Sequence, residues 1–262
     1  MKTIQLKLKT IAYSKNGLQT INTYDDEKLD EYSEFNIGSI TRFFTEVIIL
    51  ILQDKKLLNI DDLLDKYIPS NKQNDFSKTT IRDIIFDKSL LKNNIDKIPN
   101  KKFKTSKSIV DFLIEHKLFQ KKAGHSDIGF IFLGRIIEII TKKTYIKACK
   151  KYIFDCLKIC NTGIGNTNIT LYNGNKKVNI HEIKHMYYAS SAYGLYSCVH
   201  DLICFGKNIP KLLSKKGFQL LFNKLTLYDL HLSGFTFLAL IYNKTKKLID
   251  ILIFVRTGLK FI

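Results

Sequence analysis

The sequence is short of arginine, of long apolar runs and of paired cysteines. Near its start the longest unbroken apolar stretch is Val47 to Leu52, far below the roughly 20 residues a helix needs to cross a bilayer. No membrane span is expected. Met1 to Lys9 alternates polar and apolar residues, which is a strand pattern without the apolar centre of an export signal. The expected location is therefore intracellular, in the cytoplasm. The five cysteines, Cys149, Cys156, Cys160, Cys198 and Cys204, are odd in number and form no Cys-x-x-Cys. That usage fits a reducing compartment, and most fall in apolar helical patterns, as buried free thiols do.

Only four of the 42 basic residues are arginine. The net charge of +18 invites a reading as a nucleic-acid or anionic-membrane binder. The lysines are scattered, however, and no RNP, zinc-finger or helix-turn-helix signature is present. Abundant Lys, Asn, Ile, Tyr and Phe is what AT-rich coding produces without selection for binding. Specific nucleic-acid binding is not expected.

What the sequence does hold is a core. Its 262 residues are 45% hydrophobic, enough for one large domain and too apolar for general disorder. Strands are expected at 4–13 and 18–24, joined by Asn16-Gly17, a strong hairpin signal. Strands are expected again at Leu232–Tyr242 and Leu248–Val255. Between them helices are expected, among them Ile60–Tyr67, Thr80–Ile85, Ser106–His116 and Ile128–Thr141, with another starting at Val199. Asn161–Asn179 reads as loop or short strands. The simplest solution is an α/β (α+β) domain spanning 1–262: one antiparallel sheet from both ends of the chain, flanked by helices. Residues 1–45 and 190–262 would hold the sheet, and 46–189 a mostly helical part.

The chemistry gathers at Asn36-Ile37-Gly38-Ser39-Ile40-Thr41-Arg42. A serine opens a strongly apolar helix, and a basic residue follows three positions later on the same face. The helix N-terminus favours an oxyanion there. Arginine stays charged in proteins, so Arg42 can hold an anion but cannot serve as a general base. A second motif, His181-Glu182-Ile183-Lys184-His185, fits the HExxH of zinc proteases. Lys184 is charged where such helices are apolar, no glutamate follows Glu182, and His200 stands at the wrong distance for a third ligand. The match is read as chance, and no metal or other cofactor is expected.

The order of motifs resembles the serine β-lactamase-related family: class C-like β-lactamases, low-molecular-weight penicillin-binding proteins and related esterases. Gly38-Ser39-Ile40-Thr41-Arg42 resembles its Ser-x-x-Lys nucleophile segment. Leu57-Leu58-Asn59-Ile60-Asp61-Asp62 with Tyr67-Ile68-Pro69, and Thr80 to Leu90, resemble the segments that follow; in the latter, Asp87 stands for a His and Leu90 for a Gly. His125-Ser126-Asp127 resembles Tyr-x-Asn, Ala192 to Ser197 resembles the family's Ala-Gly-Gly-Leu-x-Ser helix entry, and Leu232-Ser233-Gly234 resembles the His-x-Gly strand, with His231 one position early. Arg256-Thr257-Gly258 imitates Lys-Thr-Gly, but is read as a strand-end turn.

The resemblance implies the β-lactamase/penicillin-binding-protein fold and an acyl-enzyme hydrolase of amides or esters, acting on a small-molecule or peptide-like substrate. Ser39 would be the nucleophile, with Arg42 and His125 beside it as catalytic residues. His125 would accept the proton with Asp127 orienting it, and Asp127, Ser233 and Gly234 would line the substrate side. The substitutions at 42, 125 and 127 equally fit a degenerate member that binds without turnover. The helices that family members carry before the first strand and after the last are not legible here, so a homo-oligomer or protein partner covering the sheet is expected.

Overall fold

The protein is described by a computed structural model over residues 4–15, 18–23, 31–70, 75–91, 103, 105–116, 119–165, 171–173, 176–178, 190–223, 230–233, 236–243 and 248–261. In chain order the strands are β1 (Ile4–Lys15), β2 (Leu18–Thr23), β3 (Phe35–Asn36), β4 (Ser89–Leu91), β5 (Phe119–Gly124), β6 (Leu171–Asn173), β7 (Lys176–Val178), β8 (Tyr196–Ser197), β9 (Leu230–Ser233), β10 (Thr236–Asn243) and β11 (Leu248–Phe261). The helices are α1 (Thr41–Asp54), α2 (Asp75–Lys78), α3 (Ile81–Ile85), α4 (Ser106–Glu115), α5 (Asp127–Thr141), α6 (Tyr145–Cys149), α7 (Asp155–Leu157), α8 (Ser190–Tyr193), α9 (Val199–Leu212) and α10 (Lys215–Asn223). A π turn, Lys150–Phe154, makes α6 and α7 one continuous helix.

The expected sheet forms. Its order is β2-β1-β11-β10-β9, with every pairing antiparallel. Thus β1 lies beside β11, with Thr10 opposite Val255. The Asn16-Gly17 turn lies outside the described residues. Several sequence expectations need correction. The stretch 232–242 is two strands, β9 and β10, folded back on each other. Arg256, Thr257 and Gly258 are inside β11, where Arg256 faces Leu8 and Gly258 faces Lys7, so they are no strand-end turn. Ile60–Tyr67 is not a helix beyond the 3-10 turn Leu64–Lys66: Leu63 instead bridges to Thr80, and that pairing draws its backbone out of helical form. Cys156 and Cys160 are exposed, while Cys149 and Cys198 are buried as expected.

The core is built around α1, in which every residue from Thr41 to Leu52 is buried. A helix apolar on all sides has to be central. Phe44 stacks on Phe205 of α9 with ring centroids 4.0 Å apart, and Phe43 meets the same ring edge-on. The polar residues on α1 are satisfied: Thr45 donates to the Ser191 carbonyl at 2.7 Å and shares a 2.7 Å hydrogen bond with the Tyr145 hydroxyl. No helix among the described residues is long and apolar enough to cross a membrane.

α3 and α5 are closely seated. A Cβ placed on Gly129 would lie 2.8 Å from Ile84 Cγ2, so only glycine lets the two helices approach this far. α3 starts with a capping box, in which the Thr80 hydroxyl accepts from the Asp83 N–H at 3.1 Å and the Asp83 carboxylate accepts from the Thr80 N–H at 2.9 Å. α5 starts at Ser126, whose hydroxyl accepts from the Gly129 N–H at 3.1 Å.

Candidate active site

Ser39 sits in a 3-10 turn, Gly38–Ile40, that runs straight into α1. The α1 N-cap is Ile40, so Ser39 is not held there as a capping serine. The turn is fixed from both sides. Gly38 has a positive φ of 49° and donates its N–H to Asn36 Oδ1 at 2.8 Å, a conformation that glycine adopts without steric cost. The Ile37 N–H donates to the Leu195 carbonyl at 3.1 Å, and the Leu195 N–H donates to Thr41 Oγ1 at 3.1 Å. β3 and β8 pair directly before and after these bonds, so the Ala192–Ser197 segment braces the serine turn. β9 and β10 pack against the same turn, which brings the strand ending at Ser233 to the Ser39 side. Gly234 lies outside the described residues, as do His181, Glu182 and His185 of the HExxH match.

Arg42 is buried and works in two directions. Its Nε donates to the Ser39 carbonyl at 3.1 Å, and its Nη1 donates to Asp127 Oδ1 at 2.6 Å. The same Nη1 meets His125 Nε2. The guanidinium also lies over the Phe130 ring, 5.7 Å from its centroid, a cation–π contact that suits a partly desolvated arginine. One side chain therefore ties the serine turn to the imidazole and its neighbouring carboxylate. Sequence spacing brings Ser39 and Arg42 together, and Ser126, as the α5 N-cap, places His125 and Asp127 on either side of the helix start.

His125 is held by more than Asp127. Its Nε2 is 3.1 Å from Asp127 Oδ1, and its Nδ1 is 2.9 Å from Asp87 Oδ1. Asp87 was not expected at the site. It arrives through the β4–β5 pairing, where Ser89 lies opposite Gly124, so the residues just outside that pair become neighbours. The available signal was the Asp at a position where the resembled motif carries a His. Burial opposes the charged ring, but the Asp127 and Asp87 carboxylates outweigh both burial and the nearby Arg42, and raise the imidazole above its ordinary value. Nε2 faces a guanidinium that can only donate and a carboxylate that can only accept. Nε2 can thus accept from Arg42 when it carries no proton and donate to Asp127 when it does. Among the described residues no group of His, Cys, Asp and Glu is arranged to hold a metal ion.

Comparisons with known proteins bear on the fold and the family. Residues 11–230 match the β-lactamase family profile. Protein flp of Staphylococcus aureus is 26% identical over 175 residues, covering 61% of this chain and 35% of that protein. The chain thus spans about a third of the length of the curated relatives it matches. The structure of FmtA from Staphylococcus aureus superposes with a TM-score of 0.76 at 21% identity, covering 97% of this chain and 78% of that one. D-amino acid amidase from Ochrobactrum anthropi gives 0.75 at 17% identity, covering 96% and 87%. A class C β-lactamase from Rhodobacter sphaeroides gives 0.73 at 13%, covering 97% and 90%. These likenesses show a shared fold, and the profile match over most of the chain shows more: this protein belongs to the β-lactamase family.

Proposed function

We propose that this chain is a serine hydrolase that cleaves an amide or ester of a small peptide-like molecule through an acyl-enzyme on Ser39. One observation carries the reading. A single guanidinium bonds the Ser39 carbonyl and also contacts His125 and Asp127, so the serine turn and the imidazole lie within the span of one side chain. In the first step Arg42 Nη1 yields the Nε2 lone pair while keeping Asp127, the Ser39 oxygen bonds to the substrate carbonyl carbon, and the serine proton passes to Nε2 of His125. The ring then gives that proton to the departing amine or alcohol as the tetrahedral centre collapses. Water repeats the sequence to release the acid. Arg42 does not act as base. Once Nε2 is protonated, Asp127 takes the new N–H, and Arg42 remains as fixed positive charge beside the anion that forms on the substrate. Against burial, the Asp127 and Asp87 carboxylates raise the imidazole above its ordinary value, which makes it a stronger proton acceptor.

The resemblance to a D-amino acid amidase and a class C β-lactamase supports amides, cyclic or open, as the first substrates to try. Labelling by a fluorophosphonate or a fluorescent penicillin, abolished by Ser39→Ala, is the expected result. A folded wild-type protein that takes up neither probe would overturn it.

A second reading has its own observation. Arg42 occupies the position of the family's titratable lysine and is committed to Asp127. This favours a catalytically degenerate member that binds its ligand without turnover. In that case Arg42→Lys with His125→Tyr would confer labelling that the natural chain lacks.

A further inference from the structure

α3 ends in a pattern that calls for glycine. The Lys88 N–H donates to the Asp83 carbonyl at 2.8 Å, and the Asp87 N–H donates to the Ile84 carbonyl at 3.2 Å. These paired bonds require a left-handed residue between them, which is usually glycine and sometimes asparagine. Here that residue is Asp87, with φ of +53°. An aspartate tolerates this conformation at a steric cost that glycine avoids. Strain retained at one residue points to a task for its side chain. The side chain reaches His125 Nδ1 at 2.9 Å.

The opposite edge of the ring supports the same assignment. Arg42 Nη1, which can only donate, and Asp127 Oδ1, which can only accept, both meet Nε2, so a proton on Nδ1 satisfies Asp87 at 2.9 Å and leaves the Nε2 lone pair for Arg42. The proton of the neutral ring is then on Nδ1, and Asp87 is the group that accepts it. The charged groups that face the imidazole among the described residues are Arg42 of α1, Asp87 after α3 and Asp127 of α5, with the Phe130 ring 6.3 Å away, centroid to centroid.

We propose that Asp87 is the positioning residue for His125: it takes the Nδ1 proton, fixes the tautomer with a lone pair on Nε2, and so prepares that nitrogen to receive the Ser39 hydroxyl proton. The proposal deepens the hydrolase reading and rests on it for its kinetic part alone. During attack the Ser39 proton goes to Nε2, and the resulting imidazolium is held between two carboxylates, with Asp87 on Nδ1–H and Asp127 on Nε2–H. The proton then leaves with the amine or alcohol, and the ring returns to the Asp87-bonded tautomer.

The test pairs Asp87→Asn with Asp87→Gly. Both residues fit the left-handed turn, so the end of α3 is preserved, and both remove the charge. Long-range proton–nitrogen NMR of His125 reads tautomer and titration midpoint, which a purely structural role for Asp87 would not move. In wild type the Nδ1–H tautomer is expected. In both variants the midpoint falls, because one of the carboxylates that raise it is gone. In the glycine variant the tautomer is no longer fixed, and fluorophosphonate labelling of Ser39 slows by about tenfold or more. Unchanged midpoint and tautomer in both variants would show that Asp87 only ends α3, and would overturn the assignment. If folded wild-type protein takes up no fluorophosphonate or penicillin label, the hydrolase reading fails. The NMR midpoint then decides by itself, a fall upholding Asp87 as the partner of His125 and no change refuting it.

Discussion

Arg42 and Arg82 each hold an aspartate at 2.6 Å, yet the two pairs do different things. Arg82 makes the better-formed pair, bidentate to Asp61 through Nε at 2.6 Å and Nη2 at 3.0 Å. Both of its partners stand largely in water, with side-chain exposures of 40% and 57%. Arg42 has a single-oxygen bond to Asp127, but the exposures there are 8% and 23%. Its Nε also donates to a backbone carbonyl, and the same Nη1 meets an imidazole. Good geometry in water contributes little, because the ions lose little by separating. Buried charges depend on one another, because removing one strands the other. The pair that matters to the site is the one with poorer geometry and less water.

The largest test of this contrast removes each arginine in turn. Arg42→Met takes the buried guanidinium away from Asp127 and from the Ser39 carbonyl, and the expected loss is about 3 kcal/mol of folding stability. Arg82→Met is expected to cost less than about 1 kcal/mol. Urea denaturation of the two variants reads the difference, and equal losses would break the comparison. Next in size is Gly129→Ala. The new Cβ meets Ile84 and pushes α3, which carries Arg82 and leads into Asp87, away from α5. About 2 kcal/mol of lost stability is expected, together with slower labelling of Ser39, since Asp87 would recede from His125. Thr80→Ala removes the α3 cap and is expected to cost about 1 kcal/mol with labelling unchanged; a labelling defect of the Gly129→Ala size would mean that α3 positions the site through its start as well as its end.

The smallest effects are in pH, and they separate the two pairs by sign. The hydrogen bond from Arg82 lowers the Asp61 carboxyl, against the opposing pull of burial. Its stabilisation is therefore present above the unfolded value near 3.8 and is lost as pH falls through the lower folded value. His125 is raised, so its stabilisation is full below the unfolded value near 6.5 and disappears as pH rises through the higher folded value. Comparing wild type with His125→Gln by denaturation at pH 5.5 and 8.5 should show the greater difference at the lower pH. The reverse order would place the neutral ring, bound to Arg42, as the more stabilising form.

Much of this site is legible in the linear sequence because helices impose short periods. Ser39 and Arg42 are three apart on one apolar helix, and His125, Ser126 and Asp127 are three consecutive residues at a helix start. The sheet, too, follows from alternating segments at the two ends of the chain. Asp87 was not legible as a site residue. Its approach to His125 is set by the register of two short strands and by a helix end in left-handed conformation, and neither leaves a period to read. The 60–67 segment misled for a related reason: its apolar spacing suits a helix, but the Leu63–Thr80 bridge takes the backbone elsewhere. The split of 232–242 into two strands was hidden because an apolar run does not show where it reverses.

The pairing of Thr10 with Val255 has a consequence for how the protein comes to exist. Contacts between residues so far apart in sequence are slow to form. On the ribosome, the hairpin of β1 and β2 emerges early and is marginal by itself. Its open edge has to wait for β11, made long after it, while the helices around α1 condense. A nascent chain halted before β11 offers that edge to any other extended segment, including another copy of itself.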